Sequence, residues 1–396
     1  MRLKHTKLIL IVLDSVGVGD LPDAEIYGDK GTNTISHVAQ EVGGLRLPHL
    51  AELGLGNITS IHGVPRNKNT VGCFGKMMEA SKGKDSTTGH WEIAGIVTQQ
   101  AFPVFPSGFP ISLLEKFLHV TGCNGYLGNK PASGTEIIKE LGDEHVRTGF
   151  PIVYTSGDSV FQIAAHQEVI PLEHLYEICQ RTRDRVVVGE HRVGRVIARP
   201  FMGTTGSYRR TPFRRDYAVE PPAETVLDFL LASGVPTIGI GKIDDLFSGR
   251  GLQKKIHIKS NAEGIEEIIK NGKTMQSGFL MANLVDFDML FGHRQDAKGY
   301  AKALEEFDRN LPEIQRCIDD HDLLILTADH GNDPTDQSTD HTREYVPVLC
   351  YTKSGKKNVN LGVRNSFADI GKTVAEFFNI ANSQSLSGKS FLSALW

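Results

Sequence analysis

Residues 323–328 read Leu-Leu-Ile-Leu-Thr-Ala, and the chain then turns polar at Asp329-His330-Gly331-Asn332-Asp333. An unbroken apolar, β-prone run is what a strand covered on both faces of a parallel sheet requires. Its end in two adjacent metal-ligand residue types is how open α/β sheets deliver chemistry to their carboxyl edge. The pattern recurs at residues 8–13, followed by Asp14, and at residues 279–285, followed by Asp286-Phe287-Asp288 and Gly292-His293. Residues 236–240 are a further strand candidate. Helical spacing fills the gaps: residues 225–232 after Pro221-Pro222, then Tyr300, Leu304, Phe307, Leu311, Ile314 and Ile318, then Phe367, Ile370, Val374 and Phe377. Strands alternating with helices predict an α/β sandwich.

The chain's 396 residues allow more than one domain. From residue 101 to 216 the sequence changes character and becomes rich in Pro, Gly and short mixed elements. The stretch opens with Phe102-Pro103-Val104-Phe105-Pro106 and closes with a basic, proline-containing segment at residues 208–216. These boundaries predict an inserted α+β cap over residues 102–216, between core segments 1–101 and 217–396. A net charge of −4 argues against a general nucleic-acid surface, which needs a strongly basic face. The five cysteines are scattered and form no CxxC pair, so reduced thiols in a cytoplasmic protein are expected. Residues 8–13 are too short to span a membrane and lack a small-residue cleavage site, so they read as a central strand. Gly17-Val18-Gly19 lacks the third glycine of a dinucleotide fingerprint and reads as a turn that presents Asp14.

Four segments carry residues fit for chemistry: Asp14; Lys84-Asp85-Ser86-Thr87-Thr88-Gly89-His90-Trp91-Glu92; Asp286 and Asp288 with His293; and Asp329-His330 with His341. Each alone is ordinary, since an Asp at a strand end commonly caps a helix or turn. Their convergence after three predicted strands is not. Gly331 permits the sharp turn that Asp329 and His330 need to share one ion. Carboxylate plus imidazole without cysteine suits Mn²⁺, Zn²⁺ or Fe²⁺. Asp14, Asp288, Asp329, His293, His330 and His341 are too many ligands for one catalytic ion with an open position. They fit a two-metal site of the phosphoryl-transfer kind. Two divalent ions against three aspartates leave room for one more anion, a serine alkoxide or a substrate phosphate.

Together these segments, with Asp340-His341-Thr342-Arg343-Glu344 and residues 125–136, 154–160 and 193–201, resemble the phosphopentomutase family of the alkaline phosphatase superfamily. The likeness runs the whole chain length. The metal motifs carry the superfamily; Gly89-His90-Trp91-Glu92 and the middle segments narrow it. The resemblance implies an alkaline-phosphatase-like α/β sandwich core with an inserted cap that closes over the sugar. It implies an isomerase acting on small pentose phosphates, interconverting (deoxy)ribose 1-phosphate and 5-phosphate with two Mn²⁺. One ion would be held by Asp288, His293 and His341, the other by Asp14, Asp329 and His330 with the nucleophile's oxygen. The nucleophile would be Ser86, where the family pattern has Thr; Thr87 and Thr88 are its neighbours. Glucose 1,6-bisphosphate or ribose 1,5-bisphosphate would act as activator. Asp158 is the candidate for the ribose hydroxyls. Arg195, Arg199 and Arg210, with Lys242 from the core, are candidates for the phosphate that does not react. His90 is either a proton shuttle or a structural residue beside Trp91. The rivals are cofactor-independent phosphoglycerate mutase, whose inserted domain is larger, and a metal-dependent phosphatase.

Overall fold

The computed structural model describes residues 6–156 and 159–396. They fall into two compact units, Met1–Ala101 with Pro221–Trp396, and Phe102–Glu220. In chain order, β1 (Lys7–Leu13) and β2 (Cys73–Met77) belong to the first unit. The second holds β3 (Leu127–Pro131), β4 (Ile152–Thr155), β5 (Val160–His166), β6 (Arg195–Met202), β7 (Arg209–Arg210) and β8 (Arg215–Ala218). The first resumes with β9 (Thr237–Ile240), β10 (Lys254–Ile256), β11 (Gly278–Leu284), β12 (Leu323–Thr327), β13 (Val346–Tyr351) and β14 (Val359–Arg364).

The first unit is an eight-stranded sheet in the order β10-β9-β11-β1-β12-β13-β2-β14. The five strands from β10 to β12 are all parallel. Every residue of β1, β11 and β12 is buried, which is why these segments are nearly unbroken apolar runs. The parallel register has one decisive consequence. Asp14 after β1, Lys242 after β9, Asp286 after β11 and Asp329 after β12 all leave the sheet at the same edge. Strand β13 runs antiparallel to both β12 and β2. The segment entering β13, which carries His341, therefore starts at that edge too. So does the loop that leaves β2 and leads to Ser86. Six chemically loaded segments are gathered by strand direction alone.

The four predicted strands of this unit appear within about a residue of their expected ends, as such boundaries usually do. The helix Ala297–Gln315 buries Tyr300, Leu304, Phe307, Leu311 and Ile314, the stripe that the spacing predicts. Pro221-Pro222 precede the next helix without opening it. It begins at Val226, where Thr225 and Asp228 form a reciprocal capping box.

The second unit has its own six-stranded mixed sheet, β3-β4-β5-β6-β7, with β8 also paired to β6. Phe161, Ile163 and Ala165 of β5 pack with Phe117, Leu175 and Ile178 from helices Ile111–Thr121 and Leu172–Arg181. The intervening Ala164 joins Ile137, Ile138, Tyr154 and Phe201. Alternate residues of one strand thus serve two cores on opposite faces. The expected boundary at residue 216 falls inside β8, whose pairing with β6 continues through Ala218. Phe102 and Val219, near the unit's two ends, both lie against Gly194. An element with two cores and adjoining ends is equipped to fold alone. Residues 102–220 expressed by themselves should unfold in a single cooperative urea transition; a gradual, non-cooperative loss of signal would refute this.

Candidate metal centre and nucleophile

The turn after β1 sets the first ligand. Asp14 is fully buried, and Ser15 follows in the left-handed region at φ 74°. A non-glycine residue there is strained and persists only where its surroundings hold it. Here the Ser15 N–H donates to Asp329 Oδ1 at 3.1 Å, and its hydroxyl shares a hydrogen bond with buried Tyr300 Oη at 3.1 Å. After β11 the chain makes a wide π-helical turn, Phe287–Gly292. The i to i+5 spacing brings Asp288 and His293 to one side, with Asp288 Oδ2 at 3.2 Å from His293 Nε2. Asp286 does not join them; its carboxylate accepts the Asn261 N–H at 2.6 Å and caps the neighbouring helix.

Two overlapping ligand groups result, Asp288 with His293 and His341, and Asp14 with Asp288 and His330, each with donor atoms within 4.8 Å of one another. The resemblance assigned Asp288 to one ion only; the geometry puts it within reach of both groups. His330 Nε2 lies 3.5 Å from Asp14 Oδ1 and 3.4 Å from Asp329 Oδ2, which draws Asp329 into the second group. The His341 ring sits 4.0 Å from that of His330 and 4.8 Å from that of His293.

This donor set fits divalent cations. Asp14 Oδ1 is buried and accepts no hydrogen bond, a costly state for a carboxylate without a cation, while Asp329 Oδ2 faces the His90 and His330 rings at 3.1 and 3.4 Å. The imidazoles are oriented for the same purpose. His293 Nδ1 lies 2.6 Å from the Thr339 carbonyl and His330 Nδ1 3.0 Å from that of Gly331. A carbonyl only accepts, so each proton sits on Nδ1 and each Nε2 lone pair is available to a metal. The carboxyl groups divide electrostatically. Burial and then the Asp329 charge push Asp14 above its ordinary range. Burial pushes Asp288 up as well, but His341, His293 and His330 hold it well below the usual range. Asp329 is brought down to about 2 against its burial, chiefly by His330 and His90.

The nucleophile segment is built against this cluster. Helix Ser86–Ile93 opens at Ser86, and the Asp85 carboxylate accepts the Thr88 N–H at 3.0 Å and the Thr88 hydroxyl at 2.7 Å. The Thr88 hydroxyl is therefore committed to the cap, whereas Ser86 Oγ lies 3.1 Å from His330 Nε2. A Cβ on Gly89 would sit 2.2 Å from the Asp329 carbonyl oxygen, so only glycine lets this helix rest on the ligand backbone. The Trp91 indole N–H donates to the Leu246 carbonyl at 2.9 Å. Buried Glu92 accepts from Ala80 N, Ser81 N, Ser366 Oγ and Phe367 N. His90 faces Ser86 O, Asp329 and Asn283. The Gly-His-Trp-Glu motif is thus an anchor for the serine at its head.

Sequence reasoning missed the supports. Arg343 is buried and donates from all three guanidinium nitrogens to Asp23, Glu79 and the carbonyls of Glu79 and Gly83. It clamps the strand exit that leads to Ser86. Lys84 bridges Asp29 at 3.1 Å and Asp340 at 3.4 Å. Glu344 accepts from Gly19 N, Thr34 N, Thr34 Oγ1 and Thr342 Oγ1. Only its place beside His341 pointed to it. Lys242 Nζ approaches Asp14 Oδ2 at 3.5 Å. In the second unit, Arg195 lies 3.7 Å from Asp216, and Arg199 donates to Gln162 at 3.1 Å. Arg199, Arg210 and Arg214 surround the buried Tyr154 phenol, and their charges oppose the upward push that burial gives it. Asp158 lies outside the described residues.

Burial pushes the Glu344 carboxyl up to about 6, above its ordinary 4.5. The folded state therefore favours its protonated form. That advantage is complete below the unfolded value and is lost as pH rises through 6. Glu344→Gln titrates nothing at this position. With a chelator present, the difference in unfolding free energy should shift toward the Gln variant by roughly 2 kcal/mol between pH 4 and 7. A difference that stays flat with pH would contradict this.

The chain matches the model of the Metalloenzyme superfamily over residues 6–382. It is 54% identical over 389 residues to a phosphopentomutase of Dictyoglomus thermophilum, covering 98% of both chains. It is 53% identical to a phosphopentomutase of Acetivibrio thermocellus, covering 98% of this chain and 99% of the other. Among solved structures, a phosphoglycerate mutase of Leishmania mexicana aligns over 97% of both chains at 12% identity with a TM-score of 0.47. Near-complete coverage at this identity, with metal-ligand clusters at the expected edge, places the chain in the metalloenzyme superfamily and, within it, in the phosphopentomutase family.

Proposed function

We propose that the chain interconverts the 1- and 5-phosphates of ribose and deoxyribose through a phosphoserine at Ser86. As a member of its family it is an isomerase, an intramolecular phosphotransferase. The observation that carries the Ser86 assignment is its hydroxyl, at the head of a helix and 3.1 Å from His330 Nε2. The first-turn N–H groups and the positive end of the helix suit an attached phosphate.

In the forward half-reaction the bond between Ser86 Oγ and phosphorus breaks, and a bond from the free hydroxyl oxygen of a pentose monophosphate forms. The hydroxyl proton ends on Ser86 Oγ. The product is a pentose 1,5-bisphosphate, which must present its other phosphate. Ser86 Oγ then attacks that phosphorus, and its proton passes to the departing sugar oxygen. Asp14, Asp288, Asp329, His293, His330 and His341 would hold two Mn²⁺, which supply charge neutralisation for the phosphoryl oxygens and lower the serine's pKa. A sugar bisphosphate such as glucose 1,6-bisphosphate would prime the serine.

Arg195 and Arg210 are proposed to bind the phosphate that is not transferred, and Asp158 the ribose hydroxyls. The Tyr154 hydroxyl, buried and without a hydrogen bond among the arginines, supports an anion site there. Lys242 adds a cation beside Asp14. A cytoplasmic location suits these substrates and the free cysteines. No helix among the described residues is long and apolar enough to cross a membrane.

After incubation with glucose 1,6-bisphosphate, peptide mass spectrometry should place one phosphate on Ser86, and Ser86→Ala should lower turnover at least about a thousandfold. Phosphate on Thr87 or Thr88 would overturn the assignment. With Mn²⁺, ribose 5-phosphate should form from ribose 1-phosphate faster than free phosphate is released; the reverse order would favour a phosphatase. Metal analysis should find two divalent ions per chain, and fewer in His341→Ala. Arg210→Ala should raise KM about tenfold or more while leaving kcat nearly unchanged; a fall confined to kcat would remove it from phosphate binding.

A further inference from the structure

Asn283 is a fully buried amide in β11, a strand whose other residues are Gly278, Phe279, Leu280, Met281, Ala282 and Leu284. Burying an amide in such a strand is unfavourable unless its polar atoms find partners. Its Nδ2 has two, Asp14 Oδ2 at 3.0 Å and His90 Nε2 at 3.2 Å. His90 is equally buried, and its Nδ1 faces the Ser86 carbonyl at 2.8 Å and Asp329 Oδ2 at 3.1 Å.

These contacts assign the donors and acceptors around Nδ2, while Asn283 Oδ1 has no hydrogen-bond partner among the described residues. The two N–H groups of Asn283 need two acceptors, so His90 Nε2 offers its lone pair. The imidazole proton is then on Nδ1, directed at a carbonyl that can only accept. A second proton on Nε2 would oppose the Asn283 N–H. Turning the amide over would relieve that clash only by setting its carbonyl oxygen against the Asp14 carboxylate. Both ring nitrogens therefore have partners within the protein.

We propose that His90 and Asn283 are positioning residues for phosphoryl transfer. The chain Asp14–Asn283–His90–Ser86 ties the nucleophile's helical turn to a metal-ligand carboxylate and holds His90 as the Nδ1–H tautomer. The proposal rests on Ser86 being the nucleophile, but the tautomer does not. Outer partners of this kind commonly contribute 10- to 100-fold to metal affinity or activity.

The test uses full-length protein labelled with ¹⁵N-histidine and loaded with diamagnetic Mg²⁺, with His90 assigned by the signal lost in His90→Asn. A proton on Nδ1 and a bare Nε2 are expected; a proton on Nε2 overturns the proposal whatever the variants do. His90→Asn keeps a donor near the Nδ1 position, whereas His90→Gln reaches only toward Nε2. His90→Gln should lose about 10- to 100-fold in kcat with KM for ribose 5-phosphate unchanged, and His90→Asn should recover most of it. Asn283→Ala should raise the Mn²⁺ concentration for half-activation about tenfold. Equal losses in both His90 variants at matched thermal stability would reduce the residue to packing and refute its positioning role. If mass spectrometry places the phosphate elsewhere than Ser86, the reading of the nucleophile fails while the spectrum still decides the tautomer.

Discussion

Asp14, Asp288 and Asp329 are buried together at one edge of one sheet, and their mutual repulsion sets the terms for everything around them. Buried like charges spread apart or take up protons unless positive charge or hydrogen-bond donors hold them. Strand direction brings them together: β11, β1 and β12 are parallel neighbours, so the residues that follow them must emerge side by side. What keeps them together is the surrounding set of imidazoles and the Ser15 and Asn283 donors, and the unpartnered Asp14 Oδ1 is placed for a cation. The strained turn at Ser15 shows how strongly the arrangement is enforced.

A second layer of polar contacts holds the segments that reach this edge. Arg343 joins the exit of β2 to the segment that carries His341. Glu344 ties the Gly19 turn to the start of helix Thr34–Glu41 and to Thr342. Asn332 donates to Asp288 at 2.8 Å, and Asp333 meets His37 at 2.5 Å. None of these residues needs to touch substrate. Their common effect is to restrict how far any one candidate ligand can move relative to the others, as a metal site requires.

Strands β1, β9, β11 and β12 were legible because they are short, nearly unbroken apolar runs, whereas β2, β10, β13 and β14 were not predicted, and β10 and β14 are largely exposed. The candidate ligands Asp14, Asp288, Asp329 and His330 were legible because each closely follows such a run, whereas His341 lies in a polar segment ahead of β13. The supports were not. Asn283 and Tyr300 sit inside apolar patterns, where one polar atom leaves no periodic signal. Arg343 and Glu344 look like surface charges in a sequence, and only the structure shows them buried and fully partnered. The resemblance named Ser86 from the sequence; that the Asp85 cap engages the Thr88 hydroxyl is seen only in the structure.

The central place of β1 has a consequence for synthesis. This strand is made long before its two neighbours, Gly278–Leu284 and Leu323–Thr327. Until most of the chain has been made, the six apolar residues Leu8–Leu13 have no sheet to join. The ends of the second unit adjoin and its contacts are internal, so it can fold while β1 still waits. If the second unit folds as predicted, the nascent chain has a finished middle and an unpaired first strand, a stage that exposes apolar surface.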